Sequence, residues 1–300
     1  MKVGLIDIDS KIPNLALMKI SAHHKQKGHT CHLTGPLYAD QYDKVFASKV
    51  FDFSPMPILP DGTQVGGSGH SLEIRLDEQI EHIMPDYLLY PKMAYSLGFT
   101  TRGCFRKCPF CIVPQKEGKP SVNADIYEFW HPDHREIVLL DNNIFAFEEH
   151  FEKVCEQILT EGLKVDFNQG LDIRLLDDTK TKILKGLHPR KQWRFAFDGL
   201  AYEKAFRRGA ELLLKHKVSR SQICVYVLAG YDESIEDTIK RIDIVYNEYG
   251  FDPFVMLYQD NPDYKFLKKW GRNFKEYKNL ARWVNHKAIF KSVKWEEYRA

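Results

Sequence analysis

From Tyr95 onward the chain alternates short apolar runs with amphipathic ones, at a spacing that few folds can accommodate. Six segments read as strands: Tyr95–Thr100, Glu136–Leu140, Lys164–Asn168, Trp193–Phe197, Gln222–Ala229 and Pro253–Tyr258. Between them Phe147–Thr160, Leu176–Leu187, Ala201–Lys215 and Ser234–Glu248 carry helical periodicity. Ala124–Trp130 is a further segment able to supply the first intervening helix. Such alternation predicts a parallel sheet with right-handed crossovers. Six units are too few for a closed eight-unit barrel, so the expectation is an α/β chain with a partial (β/α)6 TIM-like barrel.

The first 92 residues read differently. Val3–Ile8 is a buried strand, Pro13 opens a helix that Gly28 ends, and Thr30–Leu33 and Lys44–Phe53 are further strands. Residues 54–71 are loop-like and contain Gly66-Gly67-Ser68-Gly69, and Leu76–Ile83 is a short helix. The expected organisation is therefore a small Rossmann-like α/β domain (1–92), a (β/α)6 core (93–262) and a C-terminal helical extension (263–300).

Charge is uneven along this plan. The whole chain carries +2, but residues 261–300 hold 11 Lys/Arg against 4 Asp/Glu. That tail interleaves Tyr264, Phe266, Trp270, Phe274, Tyr277, Trp283, Phe290, Trp295 and Tyr298 with its cations. Aromatic platforms among cations suit nucleic acid. The same residues near helical spacing suit an amphipathic helix pair that closes the open side of the barrel, and this is the preferred reading. At 44% hydrophobic residues the chain has material for a core, which excludes general disorder. No apolar run approaches a membrane span, so no membrane partner is expected. The start, MKVGLIDIDS, reads as a strand rather than a signal peptide, and a cytoplasmic location is expected.

Six cysteines are present, and three of them lie within eight residues: Cys104, Cys108 and Cys111, spaced C-x3-C-x2-C. Cys31, Cys155 and Cys224 stand apart in apolar or helical surroundings and read as small buried hydrophobes. Three thiolates on one loop suit a soft metal or an iron–sulfur cluster. A structural zinc site needs a fourth ligand, for which His131 or His134 could serve. On a four-iron cube, three protein ligands leave one iron open to a small molecule. In parallel α/β folds chemistry collects at the C-terminal ends of strands. Those ends here carry the cysteines, Asp141-Asn142-Asn143, Asn168 to Arg174, Asp198-Gly199, Gly230 to Glu233, and Gln259-Asp260.

The C-x3-C-x2-C loop after the first strand, Phe110 just before its last cysteine, and the six-unit alternation resemble the radical S-adenosylmethionine (SAM) superfamily over residues 93–262. The resemblance implies a [4Fe-4S] cluster on Cys104, Cys108 and Cys111 that cleaves SAM reductively to a 5′-deoxyadenosyl radical, which abstracts hydrogen from a substrate. It implies an oxygen-sensitive enzyme served by a flavodoxin- or ferredoxin-like reductant. Phe110 would flank the adenine, and the segment at Gly230 would lie along it. Asp141, Asn142 and Asn143 stand where the family carries a Gly-Gly-Glu-like run for the SAM amino group; their oxygens can accept from an ammonium. Arg174 is the candidate for the SAM carboxylate, against a surface ion pair with Asp172, Asp177 or Asp178. Arg106, Lys107 and Lys116 read as an electropositive entry or as a solvated loop.

The N-terminal segment, with Gly28-His29-Thr30 and the glycine run ending at His70, resembles a reduced form of the cobalamin-binding domain of one radical-SAM branch. It is short, and the D-x-H-x-x-G motif of an axial histidine is absent, so bound cobalamin is not the favoured expectation. The alternatives are a cobalamin-dependent radical methyltransferase, and an iron–sulfur or zinc nucleic-acid-binding protein without SAM chemistry.

Overall fold

The structure is a computed structural model that describes residues 1–258 and 274–299. The tip Gln259-Asp260 and the tail aromatics Tyr264, Phe266 and Trp270 lie outside the described residues. The chain forms two compact units. One comprises Met1–Phe105 and Ile112–Val138, the other Arg106–Cys111 and Leu139–Ala300.

The first unit begins with β1 (Lys2–Asp7), α1 (Leu15–Gln26), β2 (Thr30–Leu33), β3 (Lys44–Ser48) and β4 (Gln64–Gly66). These strands form one sheet in the order β2-β1-β3-β4, with every neighbouring pair parallel. Alternate side chains divide between its faces, as the period of a strand requires. Val3 and Leu5 pack with Leu17 and Met18 of α1, while Ile6 packs with Ala39, Val45 and Ala47. Asn14 caps α1 by accepting from Leu17 N at 3.1 Å, and its amide donates to Ser48 Oγ at 2.8 Å, tying helix to sheet. The glycine run has a structural cause. A Cβ on Gly67 would lie 2.2 Å from Lys49 O, and one on Gly69 2.4 Å from the Phe51 carbonyl carbon. Beyond come α2 (Glu78–Glu81), β5 (Ser96–Gly98), β6 (Thr101–Arg102), α3 (Val113–Glu117) and β7 (Ser121–Val122), with β6 and β7 pairing as a short antiparallel ribbon.

Two expectations change here. Gln64–Gly66, inside the segment read as loop, is the fourth strand of the sheet. Ala124–Trp130, expected to supply the first intervening helix, forms only one short turn. Asp125 caps Tyr127 N at 3.1 Å and Phe129 N bonds back to Ile126 O at 3.1 Å, which closes a 3-10 turn over Ile126–Glu128.

The chain passes into the second unit along β8 (Glu136–Leu139). There follow α4 (Glu148–Thr160), β9 (Lys164–Phe167), α5 (Asp178–Gly186), β10 (His188–Pro189), β11 (Trp193–Ala196), α6 (Glu203–Lys215), β12 (Ile223–Ala229), α7 (Ile235–Asp243) and β13 (Asp252–Leu257). The predicted strands and helices agree with these to within a few residues. Within this unit β9 pairs in parallel with β10, β11 with β12 and β12 with β13. Leu171, past the end of β9, bridges in parallel to Phe195 of β11. Phe195, Val225, Val227 and Val255 are fully or nearly fully buried on one face of the three-stranded sheet, whereas Phe254 and Met256 of the other face are exposed.

Two helices, α8 (Phe274–Asn285) and α9 (Lys287–Ser292), carry the described part of the tail. Tyr277, Leu280, Trp283 and Val284 of α8 are buried. Trp283 meets Phe290 at 4.8 Å and Trp295 at 5.6 Å between ring centroids. Asn285 faces the outer side of β13, where Val255 N donates to its Oδ1 at 2.8 Å and its Nδ2 donates to Val255 O at 3.0 Å. Among the described residues no helix is long and apolar enough to cross a membrane.

Candidate cofactor site at the strand tips

Within the second unit the loop after β9 turns sharply. Asn168 N donates to Leu139 O at 3.0 Å, Gly170 N to Phe167 O at 3.0 Å, and Leu171 N to Arg194 O at 2.7 Å. This delivers Asp172 to the start of a 3-10 turn over Ile173–Leu175, where its Oδ1 accepts from Arg174 N at 3.2 Å. The Asp172 carboxylate is nearly buried and heavily engaged. Arg174 donates from Nε to Oδ1 at 2.6 Å and from Nη2 to Oδ2 at 3.1 Å. Arg106, between the first two cysteines of the triplet, donates from Nε to Oδ2 at 3.0 Å. Asn143 Nδ2 reaches the same oxygen at 3.5 Å. Burial alone would raise the Asp172 pKa, but the two guanidiniums hold it below the usual carboxylate range. Burial would lower the Arg174 pKa; its bonds to Asp172 outweigh this and raise it, with a contribution from the nearby Cys108. The Arg174 guanidinium also lies over the Tyr202 ring at 4.8 Å.

A second set of contacts joins the cysteine loop to the tips of β12 and β13. Phe110 meets Tyr231 edge to face with centroids 5.4 Å apart, and Tyr231 meets Tyr258 in the same way at 5.0 Å. Gly230, beside Tyr231, has φ +81°, a conformation that favours glycine, so the turn after β12 depends on it.

Behind these tips lies a buried ionic group. Arg241 of α7 is 1% exposed and donates to Phe197 O and, at 2.6 Å, to Leu228 O. Its Nη2 is 2.7 Å from Glu233 Oε2, while Glu233 Oε1 accepts from Leu200 N at 2.7 Å. Asp198, at the tip of β11, is pushed up to about 6 by burial; Arg241 and Arg174 oppose the rise and Asp172 and Glu233 add to it.

The structure therefore brings Phe110, Asn143 and Arg174 of the predicted set into contacts with strand-tip residues, and Gly230 forms the turn that carries Tyr231. Asp141 and Asn143 are buried and Asn142 is half-buried. The fork of Arg174 faces Asp172, one of the three ion-pair partners weighed from the sequence. Arg106 is not simply solvated, because Asp172 holds it. Sequence reasoning missed the parts played by Arg106, Tyr231, Tyr258 and Arg241. Tyr231 could have been found from its place beside Gly230; Arg241 carries no signal beyond its place on a helix.

Cys104 belongs to the first unit, and Cys108 and Cys111 to the second. All three are partly exposed, whereas Cys31, Cys155 and Cys224 are buried. Cys111 N donates to Cys108 O at 3.0 Å, closing the turn that carries the last two thiols. Among the described residues no three His, Cys, Asp or Glu side chains converge closely enough to hold a metal ion. The fit to an iron–sulfur cluster rests on the donor set itself: three soft thiolates at short spacing on one accessible loop.

No family model matches the chain. Two curated relatives share local similarity with it, both named tRNA-2-methylthio-N(6)-dimethylallyladenosine synthase. The one from Flavobacterium psychrophilum is 26% identical over 144 residues and that from Flavobacterium johnsoniae 25% over 144. Each match takes in 44% of this chain but only 29% of the relative's length. Among solved structures, a cobalamin-dependent S-adenosylmethionine radical enzyme, OxsB, with aqua-cobalamin and S-adenosylmethionine bound, has a similar fold. Its TM-score is 0.53 at 12% identity, covering 92% of this chain and 56% of OxsB. The class defined by fold and site is thus a mixed α/β protein with parallel sheets and its candidate chemistry at the strand tips. The local relatives and the fold neighbour support a place in the radical SAM superfamily.

Proposed function

We propose that the chain is a radical SAM enzyme in which Cys104, Cys108 and Cys111 ligate a [4Fe-4S] cluster and SAM lies across the strand tips. The observation that carries this reading is the double attachment of the cysteine loop within one unit: Arg106 to Asp172 after β9, and Phe110 to Tyr231 after β12. On this reading residues 93–262 act as a partial (β/α)6 barrel, 1–92 as the small N-terminal domain and 263–300 as its helical closure. When bound, such a cluster supplies a one-electron reductant for the sulfonium of SAM. This chain's own groups bind and orient. Oxygens of Asp141, Asn142 and Asn143 would accept from the SAM ammonium, and the remaining edge of Arg174 would face its carboxylate. Phe110 and the backbone at Gly230 would flank the adenine. An external flavodoxin- or ferredoxin-like protein would deliver the electron.

Anaerobic reconstitution with iron and sulfide tests this. Brown protein that cleaves SAM is expected, and replacing all three loop cysteines with Ala should remove most iron and all cleavage. A colourless protein that binds zinc, or a full iron complement in the triple variant, would overturn the assignment.

An RNA substrate is the second reading, favoured by the names of the two local relatives and by the tail's cations. Tyr277 and Trp283 are buried, and Phe290 and Trp295 pack on Trp283, so attraction through the described part of this segment would rest mainly on charge and weaken steeply with salt. Filter binding of transfer RNA across a salt series separates this from a salt-resistant, specific site.

A further inference from the structure

We propose that Asp172 is the positioning residue for the cysteine loop. The proposal rests on the cluster reading above. Its carboxylate joins three segments distant in sequence: Arg106 between the cysteines, Asn143 after β8, and Arg174 in the turn after β9. The carboxylate is 7% exposed, so these bonds form with little competition from water. The geometry is also selective. A guanidinium fork spans both oxygens from one side, and Arg106 takes Oδ2 through Nε alone.

Charge gives the arrangement a second consequence. Asp172 sets one negative charge against the guanidiniums of Arg106 and Arg174 beside the loop. A cation beside the loop favours, and a carboxylate opposes, the extra negative charge that a three-thiolate cluster takes on when reduced. Asp172 thus fixes the loop through Arg106 and tempers the positive field of the guanidiniums beside it. A group behind a ligand loop commonly changes metal retention by about 10–100-fold when removed.

Asp172→Asn, Arg106→Gln and the double variant test this on anaerobically reconstituted full-length protein. Chelator-driven iron loss is followed by the fading visible absorbance, and midpoint potential by electron paramagnetic resonance. Each single variant should lose iron about tenfold faster than wild type. The double variant should be no faster than the singles, because both remove one link. Potentials should move in opposite directions: upward in Asp172→Asn, which deletes a negative charge, and downward in Arg106→Gln, which deletes a positive one. Asp178→Asn, whose partners Lys215 and His216 are surface groups, should retain iron like wild type. If Asp172→Asn does not fold, Arg106→Gln carries the test. Single variants that keep iron at the wild-type rate, or rates that multiply in the double variant, would overturn the proposal. Wild-type protein that takes up no iron would instead overturn the cluster reading beneath it.

Discussion

Phe110 and Tyr231 lie 121 positions apart in sequence and meet edge to face at 5.4 Å. An aromatic pair in this geometry contributes about 0.5–1.5 kcal/mol beyond its buried area. If the adenine of SAM uses the same surface, Phe110→Ala should weaken SAM binding about 2–10-fold, measured by anaerobic calorimetry on cluster-loaded protein. Unchanged affinity would place the adenine elsewhere.

Asp198 makes stability depend on pH in a defined window. Its carboxyl titrates near about 4 when unfolded but at about 6 in the fold. Between these values the folded protein keeps a proton that the unfolded chain has lost. The stability from this site is full below about pH 4 and is lost as pH rises through about 6. Asp198→Asn, neutral throughout, should therefore gain on wild type by on the order of 1–2 kcal/mol between pH 4 and 7. Urea denaturation of both proteins at the two pH values checks this; parallel pH profiles would disprove it.

The second unit was legible because its strands are short, apolar and separated by helices, so Ile223–Ala229 and Trp193–Ala196 were located within a residue or two. Gln64–Gly66 was not, being three part-exposed residues whose strand character comes from pairing with β3. The same division holds in the site. The cysteines announce themselves by spacing, and strand-tip residues follow from fold class. Arg106 and Asp172 are 66 positions apart, and nothing local to either predicts their bond. Side-chain partnerships across a turn depend on rotamers and packing that a one-dimensional pattern does not encode.

Cysteine reactivity should divide the six thiols. Burial pushes the Cys224 thiol up to about 11, and raises Cys31 and Cys155 as well. Only thiolate alkylates. Iodoacetamide at pH 8 should label Cys104, Cys108 and Cys111 in protein without iron and leave the other three largely unmodified, as read by peptide mass spectrometry. Reconstitution should protect the loop cysteines. Rapid labelling of Cys155 would contradict its 1% exposure.

Arg241→Met should be severely destabilising. It strips two backbone carbonyls of their donor and leaves Glu233 without its cation. Removing one partner of a buried pair costs about 3–5 kcal/mol. Chemical denaturation should show a lower midpoint with an unchanged slope. A loss below about 1 kcal/mol would mean that the pair is dispensable.

The first unit is expected to retain no stoichiometric corrin after incubation with hydroxocobalamin and gel filtration. Its glycine run lies against the backbone of Lys49 and Phe51, so the close approach that glycine permits is used by the chain itself. Corrin eluting at one per chain would reverse this and bring methyl transfer forward.

The Asn285 amide has a consequence for colloidal behaviour. It offers Val255 the donor and acceptor that an added strand would offer, and so ends the ladder at β13 among the described residues. An open edge beside exposed Phe254 and Met256 would be a template for another chain. The helix bearing this stopper begins at Phe274, after the strand is made. A nascent or truncated chain ending before it therefore carries an unsealed edge, and its solubility should fall with concentration as that of the complete chain does not.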